Sequence, residues 1–509
     1  MNEYDVIIIG AGNGGLASAA TLAELGKRVL VFEKHNIPGG CGTSFRRGRF
    51  EFEVALHQLS SMGTPEKPGP LREQFRRYGI ESEIEWIEIK ELFRVNFPDG
   101  TGVSIPADRT ACEAYLIEQF PAEKDAILRY FEAVYAFADE SVKFAEASAK
   151  STGEPGALKK AMMKLLFPKM YPTLARYGLL STQAVLDEFF STPKLQLALS
   201  AYWCFMGMPP ERFPWSILAK CTNIYMEDKP FYLRGTSMMM NQAIMESIRR
   251  NGGEVRLNLG VKKLLLENGK AVGVVDDNGV EYRAKKIISN ISPLATYGAL
   301  LEPEEVPAAA REYLKPYTVG ISAITCFIGL DCPPEEIGFT TSFTLNYESL
   351  DANKDFQDAY KLLPEHDPLV ATCYTVDDPA VSPKGTSIIT AGTLKYGTEW
   401  EKLTPEQYYE TKYEAGRRIV ARLEAMYPGF TSHIEEMEVA TPLTHMRYLN
   451  HPGGAIYGYE QDLLNSVFFF PSESKIPNLE FASGWVNACG FGPNYLFADK
   501  LAKRIAREV

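Results

Sequence analysis

Residues 4–9 open the chain as an apolar, β-branched run, the pattern of a strand buried on both faces of a parallel sheet. The glycine-rich stretch Gly10-Ala11-Gly12-Asn13-Gly14-Gly15 follows. Residues 16–25 then carry helical composition, and Gly26 stops them. Residues 28–32 repeat the strand pattern and end at Glu33, so the opening reads as βαβ. From about residue 63 to 233 the texture changes to long helical patterns, 122–149 and 181–202, broken by proline-containing turns. A second α/β stretch begins at Gly235. Residues 238–251 predict a helix and 254–257 a strand. Three further strands follow, 261–267, 271–276 and 281–288, joined by Asn268-Gly269 and Asn278-Gly279 turns. Residues 317–396 are strand-rich and aromatic. A strand over 479–482, a glycine turn and a helix over 493–509 close the pattern, with no internal repeat.

The pattern predicts an α/β fold: a Rossmann-type nucleotide domain in three discontinuous segments, with an inserted α+β substrate domain. The nucleotide domain is expected over 1–64, 235–310 and 431–509, and the substrate (cap) domain over 65–234 and 311–430. A chain of 509 residues is long enough for both. Its net charge of −12 argues against a nucleic-acid partner. No apolar run reaches the roughly 18 residues of a membrane span, and residues 4–9 already read as fold rather than leader. The eight cysteines stand singly, with no CxxC pair, so neither a zinc site nor an iron–sulfur cluster is expected. Scattered thiols suit a reducing compartment, and a cytoplasmic protein is expected.

The Gly10-x-Gly12-x-x-Gly15 pattern lies between a strand and a helix, the context in which it binds a dinucleotide. The first glycine permits the tight turn, the second the close approach of backbone to pyrophosphate, and the third the packing of helix on strand. Glu33 falls eighteen residues after Gly15, where a carboxylate accepts hydrogen bonds from a ribose diol. A second glycine-rich loop, Pro38-Gly39-Gly40-Cys41-Gly42-Thr43-Ser44-Phe45, follows directly, which favours the longer FAD over NAD. The chain holds one complete GxGxxG. Any electrons are therefore expected from, or for, a separate donor or acceptor.

Several further segments carry a resemblance. They are Gly39-Gly40-Cys41 with Gly48-Arg49-Phe50-Glu51-Phe52-Glu53, Tyr232-Leu233-Arg234-Gly235-Thr236, and Val261 to Asn290. To these add Ala440-Thr441-Pro442-Leu443-Thr444, Gly453-Gly454-Ala455-Ile456-Tyr457-Gly458, and Phe481-Ala482-Ser483-Gly484-Trp485-Val486 through Gly490-Phe491-Gly492. Together they resemble the phytoene desaturase-related FAD-dependent oxidoreductases, which include carotenoid isomerases and retinol saturases. The resemblance covers most of the chain and is strongest at both ends. It implies an FAD site built from Gly10, Gly12, Asn13, Gly14, Gly15, Glu33, Lys34, Gly39, Gly40, Cys41, Thr43, Ser44, His57, Val261, Gly484, Trp485, Phe491 and Gly492. It also implies a final helix whose positive N-terminus faces the flavin. Glu53 stands where many relatives carry aspartate, and Ala55 where many carry glycine. Gly484 stands where the wider amine-oxidase-like superfamily has an aspartate.

The substrate implied is an apolar small molecule of isoprenoid or polyene type. The segment 202–210 and Met238-Met239-Met240 have the composition of an apolar slot, although residue by residue plain core packing is the first reading. His57 is the first candidate for a proton donor or a polar-head ligand, set against a structural histidine, with Tyr457 second. For His445, Tyr457 and Glu460 the bland readings, packing or hydrogen bonding for the first two and a surface carboxylate for the third, come first. Lys159, Lys160, Lys164, Lys169 and Arg176, among apolar residues of 159–176, suggest peripheral contact with an anionic membrane surface; a solvated face over core is the rival reading. Two other function classes stay open: a non-redox double-bond isomerase using reduced FAD, and a prenyl-lipid carrier of related fold.

Overall fold

The computed structural model describes residues 3–149, 165–314, 317–463, 474–486 and 489–509. Two seven-stranded sheets organise it. The first has the order Val261–Glu267, Lys270–Asp276, Glu281–Ser289, Glu3–Ile9, Val29–Phe32, Glu254–Arg256, and Leu479–Phe481 also pairs with Glu281–Ser289. Its centre is parallel: Glu3–Ile9 lies between Glu281–Ser289 and Val29–Phe32, with Ile8 opposite both Ile288 and Val31. The opening strand feeds a different core on each face. Val6 and Ile8 pack beneath helix Asn13–Glu24, whereas Ile7 and Ile9 join the cluster of Leu264 and Ile287 on the other side. Alternation through a strand with no polar face is what places helices on both sides of the sheet.

Helix Asn13–Glu24 is held between helices Ser237–Arg250 and Phe491–Ile505. Its Ala17, Ala19, Ala20 and Ala23 are all buried, and their small side chains let the three helices approach closely. The terminal helix starts at Phe491, two residues before the expected Pro493, because Gly490 at φ 84° makes the turn into it.

The second sheet runs Ile434–Ala440, Ser322–Leu330, Ser387–Lys395, Leu369–Cys373, Phe343–Asn346, Glu91–Asn96, Gly102–Pro106. It is antiparallel except where Phe343–Asn346 meets Glu91–Asn96. Three expectations are corrected here. The helical pattern over 181–202 divides into Thr182–Phe189 and Pro193–Ser200, because proline at 193 starts a helix more readily than it continues one. The helix-rich segment also contributes strands Glu91–Asn96 and Gly102–Pro106. Finally, Ile434–Ala440, expected in the nucleotide domain from 431 onward, pairs instead with Ser322–Leu330 in the second sheet.

Candidate functional site

Strand Glu3–Ile9 ends at Gly10, and Gly12 precedes the first turn of helix Asn13–Glu24. No side chain caps that turn and it holds no acid, so its amides are free for an anion. The glycines are required by space. A Cβ on Gly15 would sit 2.1 Å from the Gly10 carbonyl oxygen, and one on Gly14 would sit 2.1 Å from that of Ala482. At Gly12 the obstacle is Asn290, whose Oδ1 would lie 2.5 Å from the added carbon. Glu33 is held in place by backbone: one carboxylate oxygen accepts from the Ala11 amide at 2.7 Å and the other from His35 at 2.8 Å. The diglycine loop closes beside this cradle, with the Gly39 amide donating to the Ala11 carbonyl. Asn241, on helix Ser237–Arg250, donates to the Gly42 carbonyl at 2.6 Å and fixes the far end of the loop.

These elements line one cavity of about 690 Å³. Gly10, Gly12, Asn13, Gly14, Glu33, Lys34, Gly39, Gly40 and Cys41 form its nucleotide end. Val261, Gly484, Trp485, Phe491 and Gly492 also reach it, as do His57 and Tyr457. Gly15 does not; it serves the helix–strand contact. Thr43 and Ser44 are corrected: neither lines the cavity. They lead into the Ser44–Arg47 and Phe50–Glu53 hairpin, where the Ser44 hydroxyl donates to Glu51 at 2.7 Å. The Asn13 side chain is anchored, its Oδ1 accepting from Tyr495 at 3.0 Å. The residues thus fit an extended dinucleotide: glycine-walled backbone, a helix N-terminus for pyrophosphate, and a pre-held carboxylate for a ribose.

Beyond the glycines the cavity runs under the cap, between Tyr202, Phe205 and Met206 on one side and Ala323, Thr325 and Val370 of the second sheet on the other. Apolar surface predominates, as in a slot for an apolar molecule. Part of segment 202–210 does line it, but Trp203 and Met208 are core. Met238, Met239 and Met240 do not. Met240 is buried with the nucleotide-domain core, and Met238 and Met239 border a separate surface pocket.

His57 is the polar landmark of this chamber. Thr372 Oγ1 and Tyr374 OH both lie 3.0 Å from its Nδ1, so that nitrogen is occupied. Burial lowers its pKa from 6.5 to about 4, leaving a neutral imidazole at physiological pH. Burial likewise pushes the Tyr457 phenol well above its usual range, with Cys489, Tyr225 and Cys221 nearby. The Cys41 thiol is raised to about 11 and stays protonated.

Some residues gain roles that the sequence pattern did not show. Asn290 follows the strand Glu281–Ser289, donates its amide to the Ala482 carbonyl and walls the cradle. Its place at the carboxyl end of a central strand is the signal that would have found it. His445 and His451 both line the cavity; Nδ1 of His445 meets Ser322 Oγ at 3.0 Å, and Nδ1 of His451 meets the Ala455 carbonyl at 2.8 Å. Glu460 is buried rather than on the surface, accepting from Tyr396 at 2.6 Å and from Arg212, which leaves it no role as a base. Glu53 is structural: Ala55, Leu56 and both the amide and hydroxyl of Ser237 donate to it. Burial raises its carboxyl pKa while these donors oppose the rise.

Residues 8–70 match the NAD(P)-binding Rossmann-like domain family. Over 464 residues the chain is 27% identical to prolycopene isomerase 1 of an Oncidium hybrid cultivar, covering 90% of this chain and 75% of that one. It is 28% identical to human all-trans-retinol 13,14-reductase over 531 residues, covering 96% and 83%. An oxidoreductase from Methanosarcina mazei shares the fold at a TM-score of 0.62 and 18% identity, over 98% of this chain and 100% of that one. Over most of its length this chain is therefore similar to prolycopene isomerases and all-trans-retinol 13,14-reductases, an oxidoreductase whose Rossmann-like domain suits a flavin-type dinucleotide.

Proposed function

We propose that the protein is an FAD-dependent oxidoreductase that saturates or desaturates a carbon–carbon double bond in an apolar, isoprenoid or polyene-like molecule. The observation that carries this reading is the single cavity joining a dinucleotide cradle to an apolar chamber under the cap. Bound flavin would supply hydride exchange; the chain supplies orientation and proton handling. The apolar walls from Tyr202, Phe205 and Val370 align an extended substrate and exclude water. His57, neutral and held through Nδ1, is suited to hydrogen-bond a polar end of the substrate rather than to release an imidazolium proton. Tyr457 keeps its proton at neutral pH and is the O–H we assign, in the saturating direction, as proton donor to the carbon beside the one that takes hydride. The first helix turn and the N-terminus of Phe491–Ile505 place two positive helix ends at the cavity, where they favour negative charge.

A second reading, double-bond isomerisation on reduced FAD, is favoured by the lone GxGxxG, which leaves no second nucleotide fold for a reductant. Denaturing the purified protein and identifying what it releases tests the cofactor. Released FAD supports both readings, and a protein that stays colourless after FAD is added refutes both. Incubation with a candidate polyene separates them, because reduction or desaturation changes product mass by two hydrogens and isomerisation does not.

Access to a lipid substrate at a membrane surface is part of the proposal. Residues 159–164 lie outside the described residues. In the remainder of that segment and beside it, Leu165, Met170 and Leu179 are 74%, 60% and 76% exposed. Arg176 is engaged by Glu188. Among the described residues no helix is long and apolar enough to cross a membrane. Flotation with anionic liposomes is the expected result, and absence of flotation removes the membrane contact.

A further inference from the structure

We propose that Asp331, Cys332 and His433 form a divalent-metal site at the end of the second sheet remote from the cavity. A carboxylate oxygen of Asp331, the Cys332 sulfur and a ring nitrogen of His433 all lie within 4.8 Å of one another. Ligands tetrahedral about one zinc ion, at roughly 2.0–2.3 Å from it, need spacings of about 3–4 Å, so small side-chain rotations suffice. His433 Nδ1 already meets Asp331 Oδ1 at 2.8 Å, a contact that a metal would replace.

The backbone under the three residues is fixed. The Asp331 amide donates to the His433 carbonyl at 3.0 Å, and the Ser387 hydroxyl donates to the Cys332 carbonyl at 2.7 Å. The Cys332 side chain faces inward, while Asp331 and His433 are open enough to admit an ion and a water ligand. The surroundings are anionic, with Glu335 and Glu336 close to Asp331 and Cys332. The thiolate–imidazole–carboxylate set suits zinc or cobalt and discriminates against magnesium and calcium.

Along strand Ser322–Leu330 this corner lies roughly 25 Å from the cavity-lining Ala323 and roughly 13 Å beyond the level of Thr390, which also lines the cavity, at about 3.3 Å per residue. The ion would therefore act as a clip. It would tie the end of one strand to the start of Ile434–Ala440, closing a loop of about 100 residues.

The test uses the full-length protein, stripped with chelator and titrated with Co2+ and then Zn2+. Expected are one Co2+ per chain with a thiolate-to-cobalt charge-transfer band, displacement by Zn2+, and a higher melting temperature with metal. Cys332→Ser abolishes the band, and His433→Gln weakens cobalt binding by at least about tenfold. No band in the unaltered protein, or a band that survives Cys332→Ser, overturns the proposal. If Cys332→Ser fails to fold, the more exposed Asp331→Asn and His433→Gln decide, and unchanged cobalt affinity in both overturns it.

Discussion

Substituting Gly15 by alanine tests how tightly the cradle is built. The added carbon would stand 2.1 Å from the Gly10 carbonyl oxygen, whereas an ordinary contact begins at 3.4 Å. The obstacle is the Gly10 backbone, so no flexible side chain can swing away. Helix Asn13–Glu24 must therefore retreat from the strand by more than 1 Å. Helices Ser237–Arg250 and Phe491–Ile505 pack against it and resist that movement. Overpacking of this kind costs about 1–3 kcal/mol. If the strain falls on the dinucleotide-bound state, FAD affinity drops by roughly 5- to 150-fold, at about 1.4 kcal/mol per decade. The assay is fluorescence titration of FAD into flavin-stripped protein, with far-ultraviolet circular dichroism confirming that the variant is folded. A dissociation constant within twofold of the parent would falsify the packing argument. Gly298→Ala is the control: exposed in helix Pro293–Ala299, its new carbon meets nothing within 4 Å.

That control should itself be neutral or stabilising by up to about 1 kcal/mol, read as an unchanged or higher midpoint in urea; a clear loss would contradict the open space around it. Glu33→Gln leaves one acceptor oxygen where the Ala11 and His35 amides use two. Losing a charge-assisted bond of about 1.5–3 kcal/mol should weaken FAD binding tenfold or more, and unaltered affinity would show that the carboxylate is not at the ribose. Stability should depend on pH through His57, His445 and His451, each lowered from 6.5 to about 4 chiefly by burial. Below about 6.5 the unfolded chain takes up protons that the folded one refuses, so the melting temperature falls between pH 6.5 and 4. A triple variant with asparagine or glutamine at these positions should flatten that fall, and an equal slope would rule the histidines out as its source.

The nucleotide end was legible because its signals are local. A strand, three glycines, a helix and an acid follow one another within 33 residues, and the Asn-Gly turns marked the hairpins between 261 and 288. What was not legible depends on partners far away in the chain. Nothing near Phe343–Asn346 announces that it will lie beside Glu91–Asn96, some 250 residues earlier. Asn290 reads as an ordinary loop residue until register carries it behind Gly12. Composition placed Met238, Met239 and Met240 in a slot; direction decides, and their helix turns them elsewhere. Glu53 was visible as a departure from its relatives, but its work in holding the Ser237 amide appears only when strand and helix meet.

The walls of the cradle come from segments made at very different times. Gly14 faces the carbonyl of Ala482, and Gly42 and Phe491 stand within contact distance of each other. At a synthesis rate of about 5–20 residues per second, the roughly 470 residues between them occupy on the order of a minute. During that interval the glycine loop exists without its opposite wall. Full enclosure of a dinucleotide is thus a late event in the life of each chain, because the wall around Ala482 and Phe491 is made last.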